Sequence, residues 1–201
     1  MWDQRYSEEG FAYGTEPNAF LQGEYTQIPR GGRVLCLAEG EGRNAVFLAR
    51  QGYAVTAVDL SSVGLQKAQR LALDKGVEIE TIVADLADYD PGRDSWDGIV
   101  SISAHMPPSL RRQVHARAVQ ALKPGGVFIL EAYTPRQLEM EGIGGPPERA
   151  LMMSLDELRE ELAGLDFSIG REVERHMSEG RYHQGLSAVV QLVARKPAHN
   201  T

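Results

Sequence analysis

Val34-Leu35-Cys36-Leu37-Ala38, followed by Glu39-Gly40-Glu41-Gly42 and then Arg43-Asn44-Ala45, reads as a buried strand, a tight glycine turn and the start of a helix. The apolar run is too short for a helix, and it ends in turn-forming residues. Downstream, Ala45, Leu48 and Ala49 form a helical stripe between Asn44 and Gln51, which Gly52 stops. The same alternation then repeats. A second strand spans 54–59, and Ser61 or Ser62 caps a helix carrying Leu65, Ala68, Leu71 and Ala72. A third strand follows over 78–84. After the polar loop 87–95 come a fourth strand over 98–104, a helix striped by Leu110, Val114, Ala118 and Leu122, and the stop Lys123-Pro124-Gly125-Gly126. Residues 127–132 make the fifth strand.

The tail differs in kind. Ser154-Leu155-Asp156-Glu157 is a capping box that opens a helix running to about Leu165. Residues 168–176 and 186–194 are strand-like runs joined by Ser178-Glu179-Gly180-Arg181, with no helical interval, so they form an antiparallel hairpin. The expected fold class is α/β: a doubly wound, mainly parallel seven-stranded sheet with a C-terminal antiparallel hairpin, Rossmann-like, binding ligands at the carboxyl ends of its strands. One domain is expected over 1–201. Within it, 1–25 is an aromatic-rich arm without strand or helix periodicity, packed on the strand ends, and the long irregular stretch 134–153 is a candidate lid.

Composition bounds the partners. The chain has 201 residues, 42% hydrophobic and 24% charged, with a formal net charge of −7 and a single cysteine. One cysteine permits no internal disulfide and no thiol cluster for a metal, so a cytoplasmic location and no metal are expected. No basic segment followed by an apolar one opens the chain, and no apolar window is long enough to span a bilayer, so no membrane association is expected. The acidic balance argues against nucleic acid as a partner. Arg111-Arg112, with His115 and Arg117, reads as the solvated side of a helix.

The strand tips carry the chemistry. Gly40 and Gly42 let backbone amides approach a ligand at a helix start. Asp59, 19 residues beyond Gly40, can accept from ribose hydroxyls, and Asp85 with Leu86 can meet an adenine. A dinucleotide site would want a third glycine where this chain has Ala45.

These residues, with Gly40-Glu41-Gly42-Arg43-Asn44, Lys123-Pro124-Gly125-Gly126 and the terminal hairpin, resemble the class I S-adenosylmethionine-dependent methyltransferases. The Gly-x-Gly-Arg-Asn turn and the Trp2-Asp3 to Tyr13-Gly14 arm resemble the small bacterial tellurite-resistance-like branch. The resemblance implies S-adenosylmethionine as cofactor, held by Ala38, Glu39, Gly40, Gly42, Arg43, Asp59, Leu60, Asp85 and Leu86. Arg43 would meet the cofactor carboxylate and Leu60 the second face of the adenine. The chain departs from the family at Cys36, where an acidic residue is usual, at Ala38, where glycine is usual, and at Glu39, which is placed to supply the displaced carboxylate.

Methyl transfer needs alignment more than it needs a triad. His105, after the fourth strand, and Tyr13, from the arm, are the candidate catalytic residues; Tyr133 and His183 are further candidates. Met140, Met152 and Met153 could line an acceptor pocket. The expected partner is a small-molecule acceptor, by analogy a soft nucleophile such as a thiol or a chalcogen oxyanion. The alternatives are a non-catalytic cofactor-binding or sensor domain and, third, a nicotinamide-dependent oxidoreductase.

Overall fold

The computed structural model describes residues 1–198. Strands β1 (Arg33–Leu37), β2 (Ala54–Asp59), β3 (Glu80–Val83), β4 (Trp96–Ile102) and β5 (Leu122–Tyr133) run parallel in the order β3-β2-β1-β4-β5. Strand β7 (His183–Arg195) lies antiparallel beside β5, and β6 (Asp166–Glu179) forms the edge. The seven-stranded sheet and its hairpin are those expected from the sequence. The hairpin is longer at both ends than the apolar runs alone indicated, because its edge strand alternates polar residues outward.

Successive strand residues face opposite sides, and this sorts the core into two layers. Val34, Cys36, Val55 and Ala57 pack against Ala45 and Leu48 of α3 (Arg43–Arg50) and Leu65 and Ala68 of α4 (Ser62–Asp74). Leu35, Ile99, Phe128 and Leu130 pack against Val114 and Ala118 of α5 (Pro108–Ala121) and Leu158 and Leu162, from α6 (Leu155–Glu161) and just past its end. The Ser61 hydroxyl accepts from Gly64 N at 3.1 Å, and Ser154 and Glu157 make the expected capping box. No helix among the described residues is long and apolar enough to cross a membrane.

Two local expectations are corrected. The arm is not without regular structure: it holds α1 (Trp2–Tyr6) and α2 (Ala19–Glu24), with a 3-10 turn at Tyr25–Gln27. Neither helix reaches two full turns, so neither generates a visible period. Helix α2 is set by Asn18, whose side chain accepts from Leu21 N at 3.0 Å, and by burial of Phe20 and Leu21.

The basic run on α5 is not solvated. Arg111 and His115, one helical turn apart, are both fully buried, and Glu161 from α6 meets both of them. Arg111 donates to both Glu161 oxygens and to the Met152 carbonyl, and His115 Nδ1 lies 2.6 Å from Glu161 Oε2. Arg117 donates to the carbonyls of Leu86 and Ala87, and Arg112 alone of the four is exposed.

Candidate functional site

At the carboxyl end of β1 the chain takes left-handed conformations at Ala38 (φ +50°), Gly40 (φ +61°) and Gly42 (φ +89°). The glycine at 42 is required twice over, since a Cβ there would come within 2.5 Å of Ala68 Cβ on α4. Ala38 adopts a backbone that glycine would adopt without strain, which is the family's usual residue there.

The acidic groups close this turn from both sides. Asp59 Oδ2 accepts from Gly40 N and Oδ1 from Ser61 N, both at 2.8 Å, and burial raises this carboxyl. Glu39 Oε1 accepts from Asn44 N at 3.0 Å and from Ala45 N at 2.7 Å, so it caps the start of α3. Burial pushes the Glu39 carboxyl up to about 7, opposed by those two amides and by Arg43. Cys36 behind it is buried, and its thiol is raised by burial and by Glu39's charge. The only carboxylate of the 36–39 segment is thus that of Glu39, at the turn itself.

The arm is stitched over these strand ends. Tyr6 is buried against the turn: a Cβ at Gly40 would come within 2.6 Å of its hydroxyl oxygen. Asp3 accepts from the Ser61 hydroxyl, Ala12 N donates to Glu41 at 2.7 Å, and Asn18 N donates to Asn44 at 2.9 Å. Lys67 from α4 donates to the carbonyls of Glu8 and Gly10 and to Glu41, and Arg181 N from the hairpin donates to the Ala12 carbonyl.

At the tips of β2 and β3 two apolar side chains remain open, Leu60 at 60% and Val83 at 57% exposed. Asp85 is exposed, with Oδ1 accepting from Ala87 N at 2.8 Å, and Leu86 is half-buried beside it.

On the β4–β5–β7 side, four residues that the sequence offered separately form one row of rings. Tyr13 and His183 have centroids 4.6 Å apart, His183 and Tyr133 5.3 Å, and Tyr133 and His105 5.9 Å. His105 is saturated: its Nδ1 faces the Leu151 carbonyl at 2.9 Å, and its Nε2 accepts from Tyr133 N at 3.3 Å. Burial first, then the charges of His183 and Arg111, bring its pKa down to about 4. Held neutral with both nitrogens occupied, His105 anchors the loop after β5. Tyr13 is fixed by Arg5, which donates to its hydroxyl at 3.0 Å.

Beneath the row lies a buried charge network. Glu179 takes Arg43 Nη1 at 2.8 Å and Arg175 Nη2 at 2.9 Å; Arg175 also reaches Glu131 at 2.6 Å. Asn18 Nδ2 donates to Glu131 and Glu179, and Gln191 donates to Glu131 at 2.6 Å. Against burial, which would raise it, His183 and the two arginines hold the Glu179 carboxyl well below the usual range. Arg43 therefore spends one of its five N–H groups on the hairpin.

Sequence reasoning missed Glu179, Arg175, Glu131, Asn18 and Tyr6. The alternation of Arg171, Arg175 and Glu179 along one face of β6 was a usable signal once the strand was extended to its true length. Met152 and Met153 are buried, with Met153 in the α5–α6 layer, so that one fills core space.

A family described as a methyltransferase domain matches residues 34–126. The chain is 36% identical over 102 residues to the ubiquinone biosynthesis O-methyltransferase of Alkalilimnicola ehrlichii, covering 49% of this chain and 40% of that protein. It spans about half the length, or less, of the curated relatives it matches. A solved structure described as the conversion of a disulfide bond into a thioacetal group during echinomycin biosynthesis superposes with a TM-score of 0.77 at 21% identity, over 99% of this chain and 89% of the other. TehB from Haemophilus influenzae superposes with a TM-score of 0.70 at 18% identity, over 88% and 61%. The methyltransferase resemblance read from the strand-tip residues is borne out, and these structures share the fold.

Proposed function

We propose, from the match of residues 34–126 to a methyltransferase-domain family and from the shared fold, that the chain binds S-adenosylmethionine at the carboxyl ends of β1–β4 and transfers its methyl group to a small molecule. The observation that carries this reading is the Gly40–Asp59–Glu39 turn. Asp59 uses one lone pair of each oxygen on backbone amides and retains others for a diol.

The surroundings fit that cofactor. Leu60 and Val83 offer apolar surface beside Asp59 for a flat base, with Asp85 and Leu86 at the next strand tip. Glu39, an acid whose burial disfavours its charge, is matched to a cation brought by the ligand. Ala38, Gly40 and Gly42 shape the turn, and Arg43 keeps spare donors for a carboxylate. The bound group supplies an electrophilic methyl on a sulfonium. The chain's part is to align the two reactants and exclude water, which suits the arm laid across the strand ends.

Isothermal titration of the folded protein with S-adenosylmethionine and S-adenosylhomocysteine tests the reading. Saturable one-to-one binding supports it, and absence of binding by both rejects it. Binding without methyl transfer to any acceptor would turn the reading to a sensor domain.

A further inference from the structure

Two buried polar atoms in the ring row have no partner, Tyr133 Oη and His183 Nδ1. Tyr133 is fully buried and His183 is 6% exposed, so each orphan costs free energy that a bound group would recover. Two glycines pack against this side chain: a Cβ at Gly144 would come within 2.1 Å of the hydroxyl, and one at Gly145 within 3.0 Å of the ring. Those glycines belong to the 134–153 loop, which is held to the hairpin by the Ile143–Gln184 bridge and by Gln137.

The charged and titratable groups around the two atoms are already matched to one another. From β6 come Glu179, 4.0 Å from His183 Nδ1 and beyond hydrogen-bond reach, and Arg175; from β5 comes Glu131; from α3 comes Arg43; from the arm comes Tyr13; and after β4 comes His105. Arg175 is committed to two carboxylates, and Arg43 to Glu179 and, in the reading above, to the cofactor carboxylate, so neither is left to pair with an acceptor anion at the rings. Burial, with Arg43's charge, keeps His183 below its ordinary value, while Glu179 opposes this; burial, with Glu179 and Glu131, keeps Tyr133 protonated.

Resting on the methyltransferase reading, we propose that Tyr133 and His183 are the acceptor site, and that they take a neutral, weakly acidic X–H group, a thiol or a phenol, rather than an oxyanion. A group that donates to the imidazole and accepts from the phenol satisfies both orphans at once. An oxyanion would offer no proton to His183 and would find its counter-cations already paired. In the transfer, the X–H proton passes to His183 and the X lone pair forms the X–C bond, while the C–S bonding pair stays on the donor sulfur. His183 then releases the proton to solvent. His183 is the base, Tyr133 steadies the developing negative charge on X, and the Glu179 carboxylate 4.0 Å away favours the imidazolium that forms.

The test uses the full chain with radiolabelled S-adenosylmethionine and three acceptor probes: dithiothreitol, catechol and selenite. Transfer to dithiothreitol or catechol is expected, with selenite at background. His183→Gln should lower kcat on the better probe about 100-fold or more with S-adenosylhomocysteine affinity unchanged, and the exposed His176→Gln should change nothing. As pH rises toward the acceptor's own pKa, about 8.5 for a thiol or 10 for a phenol, the His183→Gln deficit should close, because the acceptor then ionises unaided. Should His183→Gln fail to bind S-adenosylhomocysteine, Tyr133→Phe, which keeps the ring, should still lower kcat about tenfold. Preferred transfer to selenite, silence of both X–H probes, or a deficit that persists at high pH overturns the proposal. Loss of S-adenosylmethionine binding by the unmodified protein instead overturns the reading on which it rests.

Discussion

The molecule contains two buried histidine–glutamate pairs, each with arginine on the carboxylate, and they differ in one respect. In the α5–α6 layer, His115 Nδ1 meets Glu161 at 2.6 Å and Arg111 grips the same carboxylate with two nitrogens. At the strand ends, His183 Nδ1 stops 4.0 Å short of Glu179, whose oxygens go to Arg43, Arg175 and Asn18. The first pair is closed by that bond and ties α5 to α6, with His115 Nε2 left unpaired. The second leaves its imidazole unbonded beside an unbonded phenol. Identical residue types therefore give a strut in one place and a candidate site in the other: each imidazole keeps one unpaired nitrogen, but only that of His183 lies in a row of rings with an unpaired phenol.

That contrast can be broken by mutation. The largest effect should be on turnover: Glu179→Gln, which unseats two arginines and removes the negative charge facing His183, should lower kcat about 100-fold or more. Equal activity in that variant would erase the distinction between the pairs. Next is stability. Glu161→Ala leaves buried Arg111 with only the more distant, half-exposed Glu157 carboxylate at 3.5 Å and should cost about 3 kcal/mol in urea unfolding, with cofactor affinity retained in the folded fraction. A loss below about 1 kcal/mol would mean that the closed pair is not a strut.

Most of the β1–β4 half was legible in the sequence because its signals are local. Strand β1 is a short apolar run leading into Gly40, β2 ends in Asp59 and β3 leads into Asp85, while α3 and α4 carry their apolar stripes within a dozen residues and Ser61 caps α4. The row of rings was not legible as a unit. Tyr13, His105, Tyr133 and His183 were visible individually, but only the pairing of β7 with β5 and the path of the arm bring them into a row. Arg111 and His115 misled for the same reason, since a charged face at helical spacing looks solvated until α6 supplies Glu161. The arm's helices escaped because five and six residues are too few to show a period.

Smaller effects sharpen the account of the glycine turn. Glu39 titrates near about 7 in the free protein, so below that pH its carboxyl is protonated and cannot pair with the ligand's cation. S-adenosylmethionine affinity should therefore rise with pH, by up to about tenfold per unit through pH 5–7, and level off above. Glu39→Gln, which keeps an oxygen for Asn44 N and Ala45 N, should flatten that dependence in titrations across the range. An unchanged slope would remove Glu39 from the cation. The smallest effect is at Ala38, where φ is +50°. Ala38→Gly should relieve left-handed strain and raise stability by about 1 kcal/mol, read by thermal melting.

The central claim is that the turn joining β1 to α3, with Asp59 beside it, is an S-adenosylmethionine site. Calorimetric titration of the unmodified chain and of Asp59→Ala with S-adenosylmethionine, each first shown to melt cooperatively, tests it most directly. One-to-one binding that weakens about 100-fold or more in Asp59→Ala is the predicted result. Binding that is absent from the intact protein, or that is equally tight in Asp59→Ala, would contradict it.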